Sequence, residues 1–106
     1  MKNNDQKIYS FIGLAMRAGK IVSGDDSTLL ELKRDKVKLV IVAQDASDNT
    51  KKLFKDKSSY RQIPQVYFST KVEIGSAIGK SPRAVLGIKD AGFAKTIIEL
   101  MEESKI

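Results

Sequence analysis

The sequence contains no cysteine, no histidine and no tryptophan, and only two of its 106 residues are proline. Without cysteine and histidine there is no thiol nucleophile, no Ser-His-Asp triad, no zinc-finger ligand set and no imidazole base. That excludes much enzymology; no catalytic residue, metal ligand or cofactor is expected. A cysteine-free chain is compatible with a reducing cytosol without requiring one. Long apolar runs are also missing. The longest, Leu39-Val40-Ile41-Val42-Ala43, falls well short of the roughly 18 residues that a membrane span needs and suits a buried strand instead. Residues 1–6 lead into an amphipathic pattern, unlike the apolar stretch and small-residue cleavage site of a secretory signal. A cytoplasmic protein that makes no membrane contact is expected.

What is present describes one globular unit. Hydrophobic residues make up 42% of the chain and charged residues 30%, ordinary values for a folded domain. A chain of 106 residues forms a single domain, 1–106, and buries a workable core without disulfides. The formal charge is +6, and its distribution is uneven. Residues 1–89 carry 17 basic and 9 acidic groups, whereas residues 90–106 carry 2 and 4. The positive field belongs to the body of the chain, as expected of a protein that meets polyanions.

Periodicity divides the chain into alternating helices and strands. Ile8, Phe11, Ile12 and Ala15 follow the i, i+3, i+4, i+7 spacing of a helix over about residues 5–18, and Gly19 suits its C-terminal cap. Ile21-Val22 makes a very short strand. Ser23-Gly24-Asp25-Asp26 has the Ser-x-x-acid form that opens helices, so a second helix is expected from there to about Asp35. Residues 37–43 are almost continuously apolar and β-branched, the pattern of a central strand covered on both faces. Ser47 is placed to cap a third helix, and Thr50, Leu53 and Phe54 share one of its faces. Gln65-Val66-Tyr67-Phe68 reads as a strand, and Thr70-Lys71-Val72-Glu73 as a capping box. Residues 84–89 give a last strand, after which Asp90 caps a helix with Ala94, Ile97, Ile98 and Met101 on one side. The expected fold is α/β: a single-domain, three-layer α/β/α sandwich around a mixed sheet of about four strands, whose strand order is not readable.

Several constellations invite a chemical reading. Gly13 with Gly19-Lys20 distantly matches a phosphate-binding loop, but five residues intervene where four are needed, and Ile21 stands where magnesium requires Ser or Thr. Asp25-Asp26 suit the positive end of a helix dipole better than paired catalytic carboxylates. A hydrolase built on Asp25, Asp26 and Asp45 has no base, metal cage or nucleophile. Tyr9, Phe11, Tyr60, Tyr67 and Phe68 include possible base-stacking rings, but aromatics at helix and strand periodicity are more often core, and only Tyr60, beside Arg61, is expected to be exposed. Cations gather in three places: Arg17 with Lys20, Lys33-Arg34-Lys36-Lys38, and Lys51-Lys52-Lys55-Lys57. A solvated helix face accounts for the third group as well as RNA does. Arg17 and Lys20 gain weight by lying next to a glycine-punctuated turn at a helix start. Gly79-Lys80-Ser81-Pro82-Arg83 forms a second charged glycine turn. If both turns lay at one end of the sheet, they would make a basic clamp around an RNA bend.

Three ordered segments carry a resemblance over nearly the whole chain: Gly19-Lys20-Ile21-Val22-Ser23-Gly24-Asp25, Lys38-Leu39-Val40-Ile41-Val42-Ala43-Gln44-Asp45-Ala46-Ser47, and Gly75-Ser76-Ala77-Ile78-Gly79-Lys80. Together they resemble the bacterial YlxQ branch of the kink-turn-binding ribosomal protein family whose archaeal type member is L-seven-Ae. The resemblance implies an α/β/α fold that recognises sharply bent RNA through the start of its second helix, here residues 24–30, and the loop before its last strand, here residues 79–83. In the family's tight kink-turn binders a Gly-x-Asn-Glu sequence reads sheared G·A pairs, supported by a lysine three residues after the Glu. Here Asp26 stands for the Asn, Ser27 for the Glu and Leu30 for the lysine. Asn donates and accepts at a base edge, whereas Asp only accepts and repels phosphate. Weaker kink-turn affinity or a different RNA target is expected.

The expected function is binding of structured RNA in the setting of translation or the ribosome, by a monomer, with no enzymatic activity. Ser23 and Gly24 would position the backbone and Asp25, Asp26 or Ser27 touch base edges. Arg17, Lys20, Lys80 and Arg83 would neutralise phosphates, with Gly79, Ser81 and Pro82 completing the second loop. The rival reading is a protein-interaction module of the translation machinery with only weak, non-specific RNA contacts, whose RNA affinity would vanish near physiological salt.

Overall fold

The computed structural model describes residues 3–103. Met1 and Lys2, which begin the segment read as carrying no secretory signal, and Lys105 of the acidic tail lie outside the described residues. The elements run α1 (Asn3–Arg17), β1 (Ile21–Ser23), α2 (Asp25–Lys33), β2 (Leu39–Val42), α3 (Asp48–Tyr60), β3 (Gln65–Tyr67), α4 (Lys71–Ala77), β4 (Val85–Ile88) and α5 (Ala91–Glu103). None of these helices is long and apolar enough to cross a membrane.

The four strands form one mixed sheet in the order β1-β4-β2-β3. β4 runs antiparallel to both of its neighbours, and β2 and β3 are parallel. Every residue of β2 and β4 is buried, as their unbroken apolar sequence requires, while the edge strands β1 and β3 are half-buried. The inner position expected for β2 is observed. α2 packs on β1 and β4 beside α3, which covers β2 and β3; α1 packs on α4 and α5, and α5 on β4. These contacts give the three layers of the expected sandwich. Ile8, Ile12 and Ala15 of α1 are buried, and Phe11 meets Phe93 of α5 at 5.2 Å between ring centroids. Full burial of Ile12, Leu32, Phe54 and Ile97 contributes about 1.5–3 kcal/mol for each side chain.

Helix boundaries follow mostly from their caps. The Ser47 hydroxyl accepts from the Thr50 amide at 3.1 Å, the Thr70 hydroxyl from the Glu73 amide at 3.2 Å, and the Asp90 carboxylate from the Phe93 amide at 2.9 Å. The start of α2 departs from expectation. Ser23 does not cap it, because Ser23 is still strand, in register with Leu86. The N-cap is Gly24, at φ 92 and ψ 156, with no side-chain cap. Only glycine adopts that conformation readily, so the turn from β1 into α2 depends on Gly24.

At the other ends, α1 to α4 close with the same device. The residue after the cap (Gly19, Asp35, Gln62, Gly79) has positive φ, and its amide and the next bond back to carbonyls three and five residues earlier. This is the Schellman arrangement, which favours glycine. Gln62 sits there at φ 58 against that preference. Gln62→Gly should therefore raise stability by about 0.5–1 kcal/mol, read as a higher denaturant midpoint at unchanged slope.

Candidate nucleic-acid interface

Strand direction determines where the loops meet. β1, β2 and β3 end at one edge of the sheet, and antiparallel β4 begins there. That edge therefore gathers the first turns of α2, α3 and α4 together with residues 79–84, which lead into β4.

The helix starts at this edge are not equivalent. α3 and α4 are closed by Ser47 and Thr70, and the Asp45 carboxylate also accepts from the Lys71 amide at 2.9 Å. α2 has no side-chain cap, so the amides of its first turn are left for an outside acceptor. Gly24 is held from behind, its own amide donating to the Val85 carbonyl at 3.0 Å. Asp25 turns toward α3: the Thr50 hydroxyl donates to its carboxylate at 3.1 Å, while the Ser47 hydroxyl donates to Thr50 at 3.0 Å. Asp26 and Ser27 are exposed, and within the described residues neither makes a side-chain hydrogen bond or ion pair.

The loop over residues 79–83 lies beside this helix start because Arg83 holds it there. Its Nε donates to the Ser23 hydroxyl at 3.3 Å, and its Nη1 to the Ser81 hydroxyl at 2.8 Å and to the carbonyls of Ser81 and Pro82 at 3.1 and 3.2 Å. Its amide also bonds the Lys71 carbonyl at 3.0 Å. Arg83, read from sequence as a phosphate contact, has these donors engaged within the protein and acts first as the loop's anchor. The loop also presses on α4: a Cβ at Gly75 would lie 2.2 Å from the Ser81 carbonyl oxygen. Lys80, Ser81 and Pro82 remain exposed.

The structure thus brings Ser23, Gly24, Asp25, Asp26 and Ser27 together with Gly79, Lys80, Ser81, Pro82 and Arg83. Arg17 and Lys20 stand apart from them. Their turn feeds the start of β1 and the other glycine turn feeds the start of β4, and since β1 and β4 are antiparallel the two turns lie at opposite ends of the sheet. The Lys20 carbonyl accepts from the Lys89 amide at 2.8 Å, about 13 Å of strand from Gly24 at ~3.3 Å per residue. The basic clamp of two glycine turns does not form. Gly19 ends a helix rather than starting one, so that turn presents carbonyls, which do not attract phosphate. Arg17 folds its guanidinium back along its own helix beside Gly13.

Tyr60 is exposed as expected, at 83%, with the Arg61 guanidinium 5.4 Å from its ring. It ends α3, however, and so lies at the edge remote from the α2 start. Sequence reasoning missed two features of the interface edge, Gly75 as the seat of the loop and Val72 exposed on α4, and it expected Tyr60 alone of the rings to be exposed, whereas Tyr67 is exposed at this edge with its ring 5.8 Å from the Lys51 ammonium. A glycine in mid-helix, unfavourable by about 1 kcal/mol relative to alanine, was the one available signal. Among the described residues no group of three or more acids is placed to hold a metal, and Asp25 and Asp45 serve helix starts.

Comparison with known proteins bears on the family and the fold. The model of the ribosomal protein L7Ae/L30e/S12e/Gadd45 family matches residues 6–98. The chain is 50% identical over 101 residues to the RNA-binding protein YlxQ of Enterococcus faecium, covering 95% of this chain and 97% of that one. It is 38% identical over 94 residues to the RNA-binding protein YlxQ of Bacillus subtilis, covering 89% and 94%. The fold superimposes with a TM-score of 0.79 on the Giardia lamblia 15.5kD RNA binding protein, at 20% identity, covering 99% of this chain and 90% of that one. The chain belongs to the ribosomal protein L7Ae/L30e/S12e/Gadd45 family, a family of ribosomal-type proteins rather than enzymes.

Proposed function

We propose that this protein binds structured RNA of the kink-turn kind, in the setting of the ribosome or of translation, as a cytoplasmic monomer. The observation that carries the reading is the uncapped start of α2 lying beside a loop anchored to it through the contact between Arg83 and Ser23. The RNA-binding relatives in E. faecium and B. subtilis support it. The amides of Asp25, Asp26 and Ser27 meet acceptor atoms of the RNA, Asp26 and Ser27 face base edges, and Lys80 neutralises phosphate. Gly79, Ser81 and Pro82 pack along the bend, while Ser23, Gly24 and Arg83 hold the two segments at a fixed spacing.

A fluorescence-anisotropy titration of a kink-turn RNA against a matched straight duplex, at about 50 and 200 mM salt, tests this directly. Retained preference for the kinked RNA at the higher salt is the expected result. Equal binding of both RNAs, fading together with salt, would leave phosphate contacts alone and shift the search to protein partners in translation. Lys80→Glu should weaken kink-turn binding roughly 10-fold with an unchanged melting temperature, since Lys80 is exposed and within the described residues makes no ion pair.

A further inference from the structure

At the interface edge the cations Lys51, Lys52, Lys71, Lys80 and Arg83 are matched by acids. Asp25, Asp26, Asp45, Asp48 and Glu73 all sit at the helix starts there. Cations collect at the opposite edge, around the start of β1, the start of β2 and the end of β4. Helix dipoles account for some of them, since Arg17 and Lys33 occupy last turns, where cations are favoured. Dipoles do not account for Lys20, Lys38 and Lys89, which flank strands.

The sheet register brings these three to one end of the sheet. Ile21 pairs with Ile88, so one step outward Lys20 lies directly opposite Lys89, whose amide donates to the Lys20 carbonyl at 2.8 Å. Leu39 also pairs with Ile88, and the Lys38 amide donates to the Ile88 carbonyl at 2.7 Å, so Lys38 borders this pair instead of extending it and lies toward α5, beside Ala91, Lys95 and Glu99. Like charges directly opposite one another in a sheet are destabilising. Glu31 answers Lys89, its carboxylate 3.2 Å from the Lys89 ammonium, and leaves Lys20 to solvent. Lys20, Lys36 and Lys38 are exposed and, within the described residues, without an ion pair.

We infer that this edge, with Lys20, Lys36 and Lys38 at its centre, is a second RNA-binding surface, taking the phosphate backbone of a helical segment distinct from the bend held at the α2 edge. The inference rests on the RNA-binding reading above. An extended polyanion relieves the repulsion among the cations of this edge, and the contacts need no base readout, since phosphate contacts position without specifying sequence. The two edges divide the work: the cationic edge supplies attraction and orientation, the edge with the helix starts supplies selectivity for the bend.

The test compares the parent protein with the triple variant Lys20→Gln, Lys36→Gln, Lys38→Gln on two RNAs, a trimmed kink-turn and the same kink-turn with one flanking helix extended by about two turns. The variant should bind the extended RNA roughly 10- to 30-fold more weakly at about 50 mM salt, with a log affinity against log salt slope shallower by about 2. It should bind the trimmed RNA nearly as the parent does. Its melting temperature should hold or rise, because like charges gathered at one edge have been relieved; a fall would show that the lysines stabilise the edge and would count against the inference. A parent that binds both RNAs and a variant with an unaltered slope on the extended RNA would overturn this surface and leave the kink-turn reading standing. A parent that binds neither RNA would overturn both. Loss of polyglutamate binding in the variant, with RNA binding intact, would assign the edge to an acidic protein and overturn the inference as well.

Discussion

Gly75→Ala should lower the stability of this protein by about 2–3 kcal/mol, at the upper end for overpacking a tight contact, and should weaken RNA binding along with it. The added Cβ would lie 2.2 Å from the Ser81 carbonyl oxygen, 2.7 Å from its carbon and 2.9 Å from the Pro82 Cα. All three atoms are backbone, so no side chain can swing aside and the loop itself must move off α4. Arg83 cannot follow freely, because it is tied to Ser23 on one side and to the Lys71 carbonyl on the other. The displacement therefore separates the loop from the start of α2. For a domain of this size the expected fall in melting temperature is on the order of 10–20 °C, at about 4–8 °C per kcal/mol. Gly13→Ala is the control. There the new Cβ meets the Ala77 carbonyl oxygen at 3.3 Å, and the helix gains up to about 1 kcal/mol of propensity, so stability should change little. Equal melting temperatures for the two variants would show that the loop is not seated on α4 in solution.

The contrast between these glycines also marks how much of the molecule was legible in its sequence. Local signals carried far. The apolar run at residues 39–43 became the inner strand β2, and Ser47, Thr70 and Asp90 cap the helices they were read to cap. Each of those depends on residues within one turn of one another. The failures were non-local. Whether two glycine turns share an end of the sheet depends on strand order and direction, which periodicity does not encode, and the antiparallel pairing of β1 with β4 separated Lys20 from Arg83. Ser23 had the composition of a cap but was claimed by strand pairing and by Arg83, partners about 60 residues away in sequence. The candidate interface was legible chiefly through family resemblance, because nothing within residues 23–27 announces that residues 79–83 will lie beside them.

The second large effect should be a gain. Asp26, Ser27 and Leu30 stand where the family's tight kink-turn binders place Asn, Glu and Lys, and the structure shows that all three are exposed on one stretch of α2, Leu30 at 48%. None of them supports the fold through a side-chain hydrogen bond or ion pair within the described residues, so the triple variant Asp26→Asn, Ser27→Glu, Leu30→Lys should fold as the parent does. Asp26→Asn removes an acid from a helix start, costing about 0.3–1 kcal/mol; Ser27→Glu returns an acid to the same turn and offsets it. For RNA the changes act together. Asn supplies a donor that Asp lacks, and the lysine adds a cation where Leu30 has only apolar surface. At about 1–3 kcal/mol for each restored base contact, kink-turn affinity should rise at least 10-fold, and by several hundred-fold if two contacts form fully. Affinity for a straight duplex should rise far less, because Leu30→Lys alone adds a phosphate contact there. Paired anisotropy titrations of the kinked and straight RNAs give the ratio directly. A variant whose two affinities rise in parallel would show that charge alone had been added and that the α2 start does not face the bases. A selective rise would show that the loop at residues 79–83 and Gly24 already hold the recognition geometry, and that side chains at these three positions set its strength.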